Sequence, residues 1–354
     1  MNQDVSICVL SENEMGWTEP FELDEVQILD TYYLAAQKSD IAFLKKMDTA
    51  RLLAGFRTTA GIDTKGVRPY GGWEDSLLGG HCVGHYLTAI AQAVKATGDE
   101  ELKEKSQVLI EGLEECQRKL GTGFLFGAKV EDKEDVEKQF DILEGKKKGE
   151  TWVPWYNMHK VLAGLIDTYK YTENETALLI AEKLGDWIYE RVSKWDLKTN
   201  QKVLETEYGG MNDCLYELYS YSHNKHHLEA AQKFDEKALF LMAAKGEKNC
   251  LDGKHANTQI PKFIGAIKRY NVLKQLGEAK QDDEAYLADA EKFFEMVVKR
   301  HSFVTGGISV MEHFRKDYHL DEVRTQTNCE SCCAHNMLKL AKELFKATGK
   351  KEYA

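Results

Sequence analysis

Apolar residues recur along this chain with the period of a helix. In MHKVLAGLIDTYKYT, Met158, Val161, Leu162, Leu165, Ile166 and Tyr169 fall at i, i+3, i+4, i+7, i+8 and i+11, one continuous stripe. NMLKLAKELFKATG repeats the pattern with Met337, Leu338, Ala341, Leu344 and Phe345. The same spacing predicts helices over roughly 23–53, 82–97, 99–120, 174–193, 211–222, 226–245, 258–276, 283–300 and 333–347. No stretch of strict alternation is long enough to anchor a sheet. Residues 121–156, GTGFLFGAKVEDKEDVEKQFDILEGKKKGETWVPWY, predict a long irregular insertion with turns.

The helix ends share a form. KATGDEEL (95–102), KYTENETAL (170–178), SYSHNKHHL (220–228) and KATGKKEYA (346–354) each stop a helix, turn on polar residues and start another. GEAKQDDEAYL (277–287) is a looser copy. Irregularly spaced helical hairpins predict an all-α toroid, with inner helices starting at polar loops around a common cleft. After Gly349 only five residues remain, where another outer helix should begin. The expectation is therefore an incomplete toroid, the front part of a longer protein.

Composition narrows the field. Four prolines among 354 residues favour long helices over strands and turns. A net charge of −11 does not attract a phosphate backbone, which argues against nucleic acid as a partner. Sixteen Tyr, fourteen Phe and six Trp are enough for both a core and stacking platforms for a sugar. MNQDVSICVLSENEMGW has neither the basic nor the apolar region of a signal peptide, and no apolar run reaches membrane-spanning length. Cys8, Cys82, Cys116, Cys214 and Cys250 are isolated in sequence and fit reduced, half-buried thiols, so a cytoplasmic setting is expected.

Polar motifs sit at the predicted loop-to-helix junctions: GGWEDSLLGGHCVGHYL (71–87), VPWYNMHK (153–160), EYGGMND (207–213), KHANTQIPK (254–262) and TGGISVMEHF (305–314). Glycine pairs beside histidines and aromatics are costly in helices, and their placement suggests a shared site; capping loops are the other account. His81 and His85 have a spacing that permits metal ligation, but no third ligand is evident and pocket lining is the alternative. Glu312 lies in a glycine-introduced, aromatic-flanked loop. Withdrawal from water there would raise its pKa and fit it to donate a proton; an exposed helix-start glutamate is the competing account. In TNCESCCAHN, Cys329, Cys332 and Cys333 cluster within five residues around Glu330. No βαβ context supports a redox pair, and no fourth soft ligand follows. A helix N-terminus stabilises carboxylate and thiolate, so Glu330 and Cys332 form a plausible half of a zinc site. Buried structural cysteines are the alternative.

GGHCVGHYL, VPWYNMHKVLAGLIDTY, EYGGMNDCLYELY, KHANTQIPK, TGGISVMEHF and CESCCAHNMLKL together resemble the zinc-dependent β-L-arabinofuranosidases, glycoside hydrolase families 127 and 146, the second more closely. The resemblance runs from about Phe21 to the end, six motifs in order. It implies a lead-in over 1–20 and, over 21–354, a partial (α/α)6-barrel catalytic domain without the β-sandwich domains that follow in full-length members. It also implies a retaining glycosidase in which a zinc-bound cysteine attacks the anomeric carbon and a glutamate serves as acid and base. Glu312 falls at the acid/base position. Glu330 and Cys332 match the Glu-x-Cys metal ligands, while Cys329 and Cys333 have no role assigned by the family. His81, Trp155, Tyr156, His159, Asn212 and Gln259 match sugar-pocket positions more weakly. The family's nucleophile and last ligand are an adjacent Cys-Cys pair further downstream, with no counterpart among these residues.

The expected function is release of β-L-arabinofuranosyl units from plant glycans, with one zinc ion. The chain as given is expected to hold zinc weakly and to be inactive. Two other classes remain open: a metal-independent α/α-barrel enzyme of the unsaturated glucuronyl hydrolase or epimerase type, and a non-catalytic sugar-binding protein.

Overall fold

A computed structural model describes residues 17–130, 132, 134–320 and 326–354. Residues 1–16 of the expected lead-in, with Cys8, lie outside the described residues. The chain divides into two compact units, Phe21–Lys237 and Ala238–Ala354, the second joined by residues 17–20. Both are helical, and strand-like pairing among the described residues is confined to isolated bridges. The all-α expectation is borne out. No described helix is long and apolar enough to cross a membrane.

The first unit opens with α1 (Thr31–Lys46) and α2 (Thr49–Thr59), where sequence periodicity predicts one helix over 23–53. Aspartates set the difference. Asp30 accepts the N–H groups of Tyr32 and Tyr33, and Asp48 those of Ala50 and Arg51, so each starts its own helix. α1 buries none of its residues. Then follow α3 (His81–Thr97), α4 (Glu100–Leu120), α5 (Lys138–Leu143), α6 (Pro154–Thr172), α7 (Glu175–Val192), α8 (Leu197–Leu204), α9 (Met211–Ser222) and α10 (Lys225–Gln232).

The recurring turn has one physical form. Gly98, Glu173 and His223 take the left-handed conformation that ends α3, α6 and α9. Asp99, Asn174 and Asn224 follow at once and cap the next helix with their side chains. The resulting hairpins make two layers. α3, α6 and α9 lie side by side in one, and α2, α4, α7 and α10 in the other. The α3–α6 approach is closest at Gly84 and Gly164. A Cβ on Gly84 would sit 1.9 Å from the Lys160 carbonyl, and one on Gly164 would sit 2.5 Å from the Gly84 carbonyl.

The predicted stripe of α6 is core. Met158, Val161, Leu162, Leu165 and Ile166 are buried, and Tyr169 is half-buried. Among its described residues the segment 121–153 is irregular with turns apart from α5, as expected, but it is anchored in the core. Phe124, Phe126 and Phe140 are fully buried; Phe124 and Phe140 pack with Trp187, and Phe126 packs on both of them. Arg191 of α7 then ties the segment down. Its guanidinium reaches Glu144 at 2.6 Å, Glu137 at 2.9 Å and Asp141 at 2.5 Å. The predicted helix over 226–245 breaks after Gln232, because Phe234 turns into the core against Trp155 and Trp195.

The second unit contains α11 (Lys237–Ala244), which begins at the junction, α12 (Ala256–Gln275), α13 (Glu284–Arg300) and α14 (Ser331–Thr348). α12, α13 and α14 pack on one another, with Phe263 stacked on Phe293 at 3.8 Å. Lys268 pairs with Glu343 at 2.6 Å, and Asn271 donates to the same carboxylate. Of the predicted α14 stripe, Leu344 is buried, Met337, Ala341 and Phe345 are half-buried, and Leu338 is exposed.

Candidate active site

The candidate residues fall in two groups, one in each unit. In Ala238–Ala354 the loop 302–314 is held by backbone pairing on both sides. Ala256 N–H donates to the Glu312 carbonyl at 2.8 Å, and Phe314 N–H to that of Lys254 at 2.9 Å. On the other side Met311 N–H donates to Thr327 at 3.1 Å, and Cys329 N–H to Ser309 at 3.2 Å. The loop is thereby clasped between the starts of α12 and α14. Ser309, Met311, Glu312 and Cys329 all take positive φ, a concentration of unfavourable backbone held by this pairing.

Glu312 projects from the loop with its side chain 58% exposed, so the withdrawal from water that its sequence context suggested is not observed. Its Oε2 lies 3.4 Å from His255 Nε2, and the His255 ring meets His313 edge to face. His255 was not a sequence candidate. Its signal was the KHANTQ junction itself. Gln259, one turn into α12, is buried and donates to Thr258 Oγ1 at 2.7 Å. Asn257 and Asn336 join the two helix starts by a 2.7 Å hydrogen bond.

Glu330 is the N-cap residue of α14, and Cys332 and Cys333 lie in its first turn. Burial pushes the Cys332 thiol up to about 12, and a hydrogen bond to Glu330 adds to this. Cys333 is fully buried and its thiol lies 3.7 Å from Glu330 Oε2; burial, then Glu330, raises its pKa as well. Cys329 is exposed and lies against Gly307, where any side chain would collide with its sulfur. A carboxylate and a thiol in hydrogen-bond contact at a helix N-terminus fit a zinc ion's donor chemistry.

In Phe21–Lys237 the starts of α3, α6 and α9 come together. The His81 ring lies 6.1 Å from both His85 and Tyr156, and Tyr156 lies 6.5 Å from His159. His159 is buried, and its Nδ1 accepts the Gly210 N–H at 3.0 Å, which leaves the proton on Nε2. The glycine pair of EYGGMND is required there, since a Cβ on Gly209 would meet His159 Nδ1 at 2.4 Å. Asn212 is fully buried beside Asp235, which also takes the Tyr216 hydroxyl at 2.7 Å. Trp155 is the misplaced candidate. It is fully enclosed by Phe140, Trp187, Trp195 and Phe234 and offers no face to a ligand.

Sequence reasoning missed Glu74 and Cys82. α3 starts at Gly80 with no side-chain cap of its own, so its first N–H groups need an acceptor from elsewhere. Glu74 supplies it, accepting from Gly80 at 2.9 Å and Cys82 at 3.2 Å. Burial pushes the Glu74 carboxyl up, but hydrogen bonds from His81 and Gly80 outweigh it and hold it below the usual range. One ligating atom each from Glu74, His81 and Cys82 converge within 4.8 Å, a donor set that could hold a metal.

No curated protein matches the chain. Among solved structures, a GH127 β-arabinofuranosidase aligns over 97% of the chain with a TM-score of 0.65 at 17% identity. A GH127 β-L-arabinofuranosidase from Geobacillus stearothermophilus T6 aligns over 91% with a TM-score of 0.59 at 17% identity. A protein described as a glycoside hydrolase aligns over 84% with a TM-score of 0.52 at 13% identity. The chain spans about half the length of each, 53%, 50% and 46%. At these identities the likeness concerns the fold of the aligned part alone. Residues 25–354 match the catalytic domain of the GH127 β-L-arabinofuranosidases, and the chain belongs to that family.

Proposed function

We infer that these residues serve a retaining glycoside hydrolase that releases β-L-arabinofuranosyl units from glycans. Family membership supports the substrate class, and motif likeness leans toward the related family 146. The observation that carries the site assignment is the clasped loop, which fixes Glu312 beside the starts of α12 and α14. Glu312 protonates the departing glycosidic oxygen and then takes a proton from the attacking water. His255, 3.4 Å away, orients that carboxyl. Glu330 and Cys332 hold the zinc ion. When bound, zinc lowers the pKa of a thiol, so that a sulfur nucleophile exists at neutral pH. No cysteine of this chain is assigned the nucleophile's role.

The test is a substrate panel on the protein at its full gene-encoded length. Turnover of an aryl β-L-arabinofuranoside, abolished by a chelator and restored by zinc, is the expected result. Chelator-resistant turnover of an unsaturated glucuronide would replace this assignment with a metal-independent enzyme. Binding of arabino-oligosaccharides without turnover would replace it with a sugar-binding role.

A further inference from the structure

We propose that Glu74, His81 and Cys82 form a binding site for a transition-metal dication, separate from the residues assigned to zinc above. His81 Nε2 and Cys82 Sγ ligate the ion, and Glu74 holds the imidazole from behind. The tautomer is fixed by the surroundings. His81 Nδ1 lies 2.9 Å from Glu74 Oε1 and 2.8 Å from the Leu78 carbonyl, so two acceptors share its proton. The lone pair is then on Nε2, which faces Cys82 Sγ at 3.8 Å. Zinc–sulfur and zinc–nitrogen bonds at a tetrahedral angle place the two ligand atoms about 3.5 Å apart, so the pair needs only a small adjustment to chelate.

The carboxylate–histidine–metal relay is a common device for orienting a ligating imidazole and raising its basicity. Here it is preset, because Glu74 is locked by the Gly80 and Cys82 N–H groups as well as by His81. A helix N-terminus alone disfavours a cation. The Glu74 carboxylate and the Cys82 thiolate bring two negative charges and reverse that preference. On binding, the Cys82 S–H bond breaks, its proton leaves to solvent and the thiolate pair forms the metal–sulfur bond. Two protein ligands leave the remaining positions of the shell to water or to a bound hydroxyl group. A donor set of one thiolate and one imidazole favours zinc, cobalt or copper over magnesium or calcium.

The experiment is a Co²⁺ titration of the reduced 354-residue chain, read by the near-ultraviolet sulfur-to-cobalt charge-transfer band. The expected band persists in Cys332→Ser and disappears when Cys82→Ser is added to that variant. Glu74→Gln keeps the band but weakens Co²⁺ binding about 10- to 100-fold. A band unchanged when Cys82→Ser is added to Cys332→Ser, or no cobalt–sulfur band in Cys332→Ser, overturns the site. Should Cys82→Ser lose its helical circular dichroism, iodoacetamide labelling of wild-type Cys82 decides instead. Protection by zinc supports the site, and equal labelling with and without zinc overturns it. Cys332→Ser separates this outcome from failure of the glycosidase assignment.

Discussion

Glu312→Gln is expected to lower kcat/KM on a β-L-arabinofuranoside with a sugar leaving group by about 10²- to 10⁴-fold, the usual contribution of a positioned acid or base. Glutamine keeps the shape and hydrogen-bonding reach but cannot give or take the proton. The loss should depend on the leaving group. A sugar alkoxide is a poor one and needs the proton, whereas nitrophenolate leaves readily without it. The first step on an aryl substrate should therefore suffer less, while hydrolysis of the intermediate, which needs Glu312 as base, should slow for both. Stability should change by no more than about 0.5 kcal/mol, because the side chain is exposed and its neighbours stay in place. Equal, unimpaired rates on both substrates would remove Glu312 from the chemistry.

The second large effect concerns the segment leading into α6. Arg191→Met is expected to destabilise the protein by about 3–5 kcal/mol at neutral pH, the range for breaking a buried ion network by removing one partner. Arg191 is 9% exposed, and the Glu144 side chain is fully enclosed. Without the guanidinium, the enclosed Glu144 is left beside Asp141 and Glu137 with only the exposed ammoniums of Lys146 and Lys147 to offset their charge. The pH dependence follows from sign. In the wild type, burial pushes the Asp141 carboxyl up, but Lys147 and Arg191 outweigh it and hold it below the usual range. That stabilisation is present above the unfolded pKa and is lost as pH falls through the lowered value. In the variant the crowded carboxylates bind protons more readily when folded, so acidification relieves them. The difference between wild type and variant in urea melts should be largest near neutrality and shrink toward the carboxylate range. A difference that grows on acidification contradicts the network's role.

Much of the fold was legible because helices advertise themselves locally. The α6 stripe named its own buried face, and the glycine–aspartate, glutamate–asparagine and histidine–asparagine turns encode a left-handed stop followed by an Asx cap. What periodicity cannot see is a cap inside an apolar run. Asp48 cuts the predicted helix over 23–53 in two, and Phe234 leaves its helix because the core offers more burial than the helix does. Trp155 shows the same limit at the site. Its motif placed it among pocket aromatics, yet four aromatic neighbours enclose it. His255 and Glu74 act through partners at other points in the chain. His255 meets Glu312 through loop pairing across more than fifty residues, and Glu74 caps a helix that begins after the next turn. The missing cap at Gly80 was the one local sign of the second.

The most direct measurement follows the anomer released first from a β-L-arabinofuranoside by proton NMR, using the protein at its full gene-encoded length. β-L-arabinofuranose appearing before mutarotation is the predicted result, since a sulfur nucleophile and a single acid/base glutamate together retain configuration. First release of the α-anomer would contradict the account.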